Sequence, residues 1–172
     1  MTQTLTTILS QISSKMRLSD FSAVIDLVDI SLVSFPKAAA LHHFKGVALW
    51  QEKQIDKAIA SFESALSIEP QLIAAINCLG LLYADLKLYD KSIVLFEQCL
   101  SIDPKVTNVK LNLGRCLNIV CDYGPARTIL LSAIDSEPAS AQYHIELSIS
   151  LRALHEYDLH VYGWCEYTPH FL

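Results

Sequence analysis

At 172 residues the chain is long enough for one domain with a substantial core, and its net charge of −5 excludes the basic stripe that a nucleic-acid surface needs. Charged residues make up only 18% and apolar ones 52%, so some apolar area is expected to be covered by a partner, another copy or further chain. No apolar run reaches the roughly 18 residues of a membrane span, and the first ten residues have neither the basic start nor the apolar core of a signal peptide.

Residues 1–36 hold the apolar spacing of a helix pair, about 2–16 and 19–34, with Val24, Val28 and Ser31 on its second helix. From there a repeat runs through the chain. Pro36, Pro70, Pro104 and Pro138 follow one another at intervals of 34, and so do Gly46, Gly80 and Gly114. Phe62, Phe96 and Leu130 keep the same register, as do the small residues Ala58, Ser92 and Ala126, and then Ala65, Cys99 and Ala133. Within each unit the apolar residues fall at three- and four-residue steps, which gather on one helix face. Each unit therefore predicts a helix, a short turn and a second antiparallel helix. The small residues let the pair approach closely, Gly46 against Ala58, while Phe62 and Phe96 fill the space toward the next pair. Proline closes each unit because it cannot continue a helix interior. Asp56 and Asp90 are placed as N-caps or first-turn acids. Residues 139–155 continue as one more first helix, with Ser148 where glycine stood, before a turn near Tyr157 and an aromatic tail.

With glycine in the first helix, Ala58-Ile-Ala-Ser-Phe62-Glu-Ser-Ala65 in the second and proline at the end of a 34-residue unit, the chain resembles the tetratricopeptide repeat (TPR) family. The resemblance covers three repeats over 37–138. It implies an all-α fold, a right-handed α-solenoid of antiparallel helix pairs forming a superhelix. Residues 1–36 would be a degenerate pair acting as an N-terminal cap, and 139–172 a partial fourth repeat with its tail. The segment Gly163-Trp164-Cys165-Glu166-Tyr167 is similar to the one that closes the TPR arms of bacterial glycosyltransferases.

TPR arrays are expected to bind extended segments along a concave face lined by first helices. In this sequence the polar or large non-core positions of those helices are His43 and Trp50, then Asn77, then Asn108, Asn112, Arg115 and Asn118, then Gln142 and Arg152. Side-chain amides satisfy a peptide backbone without reading its sequence, and arginine meets a carboxylate bidentately. The same positions also suit ordinary solvated helix faces. His43, Val47 and Asn77 stand where a basic two-carboxylate clamp would place its cations, so a chaperone-tail receptor is not expected.

No metal site or cofactor is expected. His42 and His43 are adjacent and point apart, while His155 and His160 are expected to flank a turn. The five cysteines, Cys78, Cys99, Cys116, Cys121 and Cys165, form no Cys-x-x-Cys pair, which suits free thiols in a reducing, cytoplasmic setting. No phosphate loop, nucleophile triad or carboxylate pair stands out. The functional expectation is a non-catalytic scaffold that holds a protein or peptide segment. The alternatives are the substrate-presenting arm of a glycosyltransferase system and a homo-oligomer built through the aromatic C-terminal end.

Overall fold

The structure, a computed structural model, describes residues 4–162, with burial described through His155. Among these residues the elements are all helical: α1 (Leu5–Arg17), α2 (Phe21–Ser34), α3 (Ala39–Gln51), α4 (Ile55–Ile68), α5 (Ile73–Asp85), α6 (Tyr89–Ile102), α7 (Thr107–Ile119), α8 (Tyr123–Ile134) and α9 (Ala141–Tyr162). They form two compact units, Met1–Leu86 and Lys87–Leu172. In the first, α1 packs on α2, α2 on α3, α3 on α4 and α4 on α5, while α1, α3 and α5 also touch in sequence as one layer. In the second, α7 packs against α6 and α8, and α9 lies against both α8 and α7.

The turns inside the helix pairs repeat more strictly than the side chains do. Ser19, Lys53, Lys87 and Cys121, spaced by 34, all adopt the left-handed conformation with φ of 57°, 62°, 60° and 63°. At Lys53 the turn closes by Lys53 N–H donating to the Trp50 carbonyl at 3.0 Å and Gln54 N–H to the Leu49 carbonyl at 2.9 Å. This double bond pattern is the one that terminates a helix while satisfying its last carbonyls. It recurs at Ser19–Asp20 with Met16 and Lys15, and at Cys121–Asp122 with Asn118 and Leu117. None of the four is glycine, so each accepts the Cβ strain of that region, on the order of 1 kcal/mol.

Because Ser19 shares the register, α1 and α2 form a pair of the same backbone geometry as the others. Its side chains differ. In the pair α3/α4 a Cβ on Gly46 would lie 2.7 Å from the Phe62 ring, and in α7/α8 one on Gly114 would lie 2.7 Å from Leu130. Glycine is thus needed to seat the bulky side chain of its own pair, rather than to bring the backbone near Ala58. In the first pair, Ile12 stands in the glycine position and Val28 in the bulky one, both fully buried. Both helices thus bring bulk to the crossing, and Ile12 and Val28 pack with Ile8, Val24, Leu41 and Ala48 in one core.

The repeat prolines Pro36, Pro70, Pro104 and Pro138 lie in the turns between pairs, whereas Pro125 sits in the first turn of α8. At two of them a histidine ties the turn down: Nε2 of His42 meets the Pro36 carbonyl at 3.3 Å and Nε2 of His144 meets the Pro138 carbonyl at 2.8 Å. A carbonyl only accepts, so Nε2 carries the proton in each. Asp56 and Asp90 lie in the first turns of α4 and α6, where they act on the helix dipole; Gln54 and Leu88 hold the N-cap positions.

One expectation is corrected at the C-terminal end. No turn separates His155 from His160; both lie on α9, which runs unbroken for 22 residues where each of the other first helices has 13. The segment Gly163–Tyr167, with its glycosyltransferase-arm similarity, and Cys165 lie outside the described residues.

Candidate functional site

The sequence candidates divide between the two units. In the first, α3 carries His43 and Trp50 and α5 carries Asn77, all three half-buried. His43 is not simply a surface group. Its ring lies 5.4 Å from that of Phe44 and 6.0 Å from that of Phe62, and its Nδ1 is buried without a hydrogen-bond partner. Burial disfavours the imidazolium and holds the His43 pKa below its ordinary value.

In the second unit, α7 carries Asn108, Asn112 and Arg115 at helical spacing, and Glu146 on α9 meets Arg115, with Gln142 one turn before it on α9. Asn108 and Gln142 are exposed, while Asn112 and Arg115 are half-buried. Arg115 donates from Nε to Glu146 Oε1 at 2.8 Å, which holds the guanidinium beside the asparagines. The face therefore offers neutral amides around one oriented ion pair. Its chemistry suits a ligand that presents alternating backbone donors and acceptors.

Asn118 departs from the sequence expectation. It is 7% exposed, because α9 covers it, and its amide is engaged inside the fold. Its Nδ2 donates to the Glu146 carbonyl at 3.0 Å and to Glu146 Oε2 at 3.4 Å, while Ser150 Oγ donates to its Oδ1 at 2.6 Å. Asn118 is therefore the polar pin between α7 and α9, and it positions the Glu146 that orients Arg115. Arg152, one repeat later in the same register, is exposed. Lys110 is a buried residue that sequence reasoning passed over; its Nζ donates to the Ser132 carbonyl at 3.2 Å across to α8. Its stem is apolar enough to occupy a core position while the amine reaches a helix carbonyl, and a lysine in an apolar register position was the available signal.

The described cysteines are free thiols. Cys99 and Cys116 are buried and Cys121 is exposed in its left-handed turn. Burial pushes the Cys78 thiol up to about 11 and raises that of Cys116, whose Sγ lies 3.5 Å from Ser92 Oγ. Among the described residues no group of three or more His, Cys, Asp or Glu is placed to hold a metal ion. No helix there is long and apolar enough to cross a membrane.

A repeated helix pair with a conserved left-handed turn places the chain among all-α solenoid proteins. Residues 39–72 and 75–106 match the tetratricopeptide repeat family model, so this stretch of the chain is built of tetratricopeptide repeats. No curated protein sequence matches it. Among solved structures, a tetratricopeptide repeat protein from Parabacteroides merdae is similar with a TM-score of 0.77 at 15% identity, over 91% of this chain. The chain spans 63% of that protein's length. YrrB, described as a TPR protein with an unusual peptide-binding site, gives a TM-score of 0.73 at 13% identity, covering 87% of this chain and 77% of its own. The first TPR of Spaghetti (RPAP3), solved with an HSP90 peptide bound, gives 0.65 at 16% identity, covering 68% of this chain and 93% of its own.

Proposed function

We propose that the protein is an interaction scaffold that holds an extended protein segment on its first-helix faces, with the α7/α9 face of the second unit as the principal contact. The observation that carries this reading is the oriented Arg115–Glu146 pair, with Asn108 and Asn112 at helical spacing from Arg115 on α7. Amides at these positions pair with a peptide backbone, and Arg115 keeps further N–H donors for a ligand carboxylate while Nε is held by Glu146. Two fold neighbours, YrrB and the first TPR of Spaghetti, carry peptides or peptide sites, which supports the class of ligand. His43 and Asn77 on the first unit form a second, less polar contact, in which the half-buried Trp50 supplies apolar area.

The test is selection of a displayed peptide library on the whole chain, followed by calorimetry with the enriched peptide. Asn108→Ala/Asn112→Ala is expected to weaken binding by roughly tenfold or more. A library that yields no binder, or binding indifferent to that double variant and to Arg115→Gln, would overturn the assignment.

A further inference from the structure

The second helices of the second unit leave a groove that the first-helix face does not use. Both α6 and α8 pack on α7, and between them opens a space of about 620 Å³, within the roughly 300–1,000 Å³ of ligand sites. Its floor is apolar, with Leu113 and Leu117 of α7 beneath and Leu100 of α6 and Ile129 of α8 at the sides. The sequence accounts for the opening. Pro125, Thr128 and Ser132 line the α8 wall, whereas one repeat earlier Lys91, Val94 and Gln98 hold those register positions. The shorter side chains leave the floor uncovered. At about 100° per residue, Leu113 and Leu117 lie on the opposite side of α7 from Asn108, Asn112 and Arg115.

The rim has one chemical character. Ser101 Oγ donates to the Gln98 carbonyl at 2.7 Å, Thr128 Oγ1 to that of Gly124 at 3.2 Å and Ser132 Oγ to that of Ile129 at 2.8 Å. Each hydroxyl proton is therefore spent inside its own helix, and the oxygen lone pairs remain for a ligand. Glu97 adds a carboxylate. It is exposed, it is the one charged side chain lining the groove, and among the described residues no cation pairs with it. An apolar floor under acceptors and one uncompensated negative charge complements a ligand that is apolar at its centre and cationic at its edge.

We propose that this groove receives an amphipathic helix of a partner protein, its apolar side chains at i and i+4 seated on the leucines of the floor and a lysine or arginine set on Glu97. A helix suits the space because the walls are themselves helices on either side of α7, and a third can lie lengthwise between them. This is a second site, across α7 from the amide face, and neither reading needs the other.

The test is a displayed library of amphipathic helices with a fixed leucine stripe, in which the flanking positions vary among Lys, Gln and Glu, selected on the whole chain. Lysine-bearing sequences should be enriched, and binding of the best, read by fluorescence titration, should weaken as salt rises. Glu97→Gln should weaken it about two- to fivefold and flatten that salt dependence. Thr128→Trp, at an exposed position, should keep the helical circular dichroism, fill the groove and weaken binding roughly tenfold or more. Enrichment of acidic or neutral sequences, no binder at all, or binding indifferent to both variants would overturn the proposal. A peptide lost in Asn108→Ala/Asn112→Ala but kept in Thr128→Trp would belong to the first-helix face, which would sink this site and leave that one standing.

Discussion

The pair α1/α2 and the helix α9 both lack the glycine-and-bulky signature of the central repeats, yet the first closes into a hairpin and the second runs straight. In the first, Ile12 stands in the glycine position and Val28 in the phenylalanine one, both fully buried, and Ser19 turns as its later equivalents do. In α9 Ser148 stands, exposed, in the glycine position, and the helix continues through His155, the register position of the tight turn. A close-packed crossing can be filled by different pairs of side chains where their shapes interdigitate, as Ile12 and Val28 do in the first pair.

The comparison can be broken most directly at the crossing of α3 and α4. Gly46→Ile should cost about 3 kcal/mol, and Gly46→Ile/Phe62→Val, which copies the first pair, should recover at least about half of that in urea denaturation. Failure to recover would mean that shape, not volume, governs the crossing. A smaller loss, about 2 kcal/mol, is expected for Asn118→Ala, which removes the closer acceptor of the Ser150 hydroxyl and releases the Glu146 side chain that holds Arg115. If stability is unchanged, α9 is held by apolar contacts alone.

The turns give a paired test with opposite signs. Lys53→Gly should raise stability by about 0.5–1 kcal/mol by removing Cβ strain at φ 62°. His155→Gly should lower it by about 1 kcal/mol, because that residue is helix interior. Equal signs would show that the two register positions share a conformation after all.

The smallest effect concerns pH. The folded-state pKa of His43 lies below its ordinary value of 6.5, so near neutrality and above both states hold it neutral. As pH falls below 6.5 the unfolded chain takes a proton that the folded one resists. Stability is therefore lost on the acid side, levelling once the folded pKa is passed. Replacing His43 with Leu should reduce the drop in melting temperature between pH 7 and pH 5.

The candidate site was legible by position more than by role. Helical spacing put Asn108, Asn112 and Arg115 on one face of α7 and Gln142 on α9. It could not show that Asn118, one turn further, would be sealed by α9 and spent on Glu146 and Ser150. Burial depends on what lies across the helix, and that is a long-range contact. Lys110 was missed for the same reason, since only the neighbouring α8 supplies the carbonyl that lets its amine sit in a core register.

What the sequence by itself determined is the repeat. Proline, glycine and bulky residues at intervals of 34 dictate helix lengths, turn positions and the all-α class, because these depend on local backbone preference and on the period of the apolar face. What only the tertiary structure decided is which side chains meet. The first pair closes around Ile12 and Val28, both fully buried, while α9 runs on as helix through His155 where the earlier repeats turn. The left-handed turns at Ser19, Lys53, Lys87 and Cys121 belong to the same class of fact. No residue preference announces them, and the packing of the two helices on either side holds the chain there against its local strain.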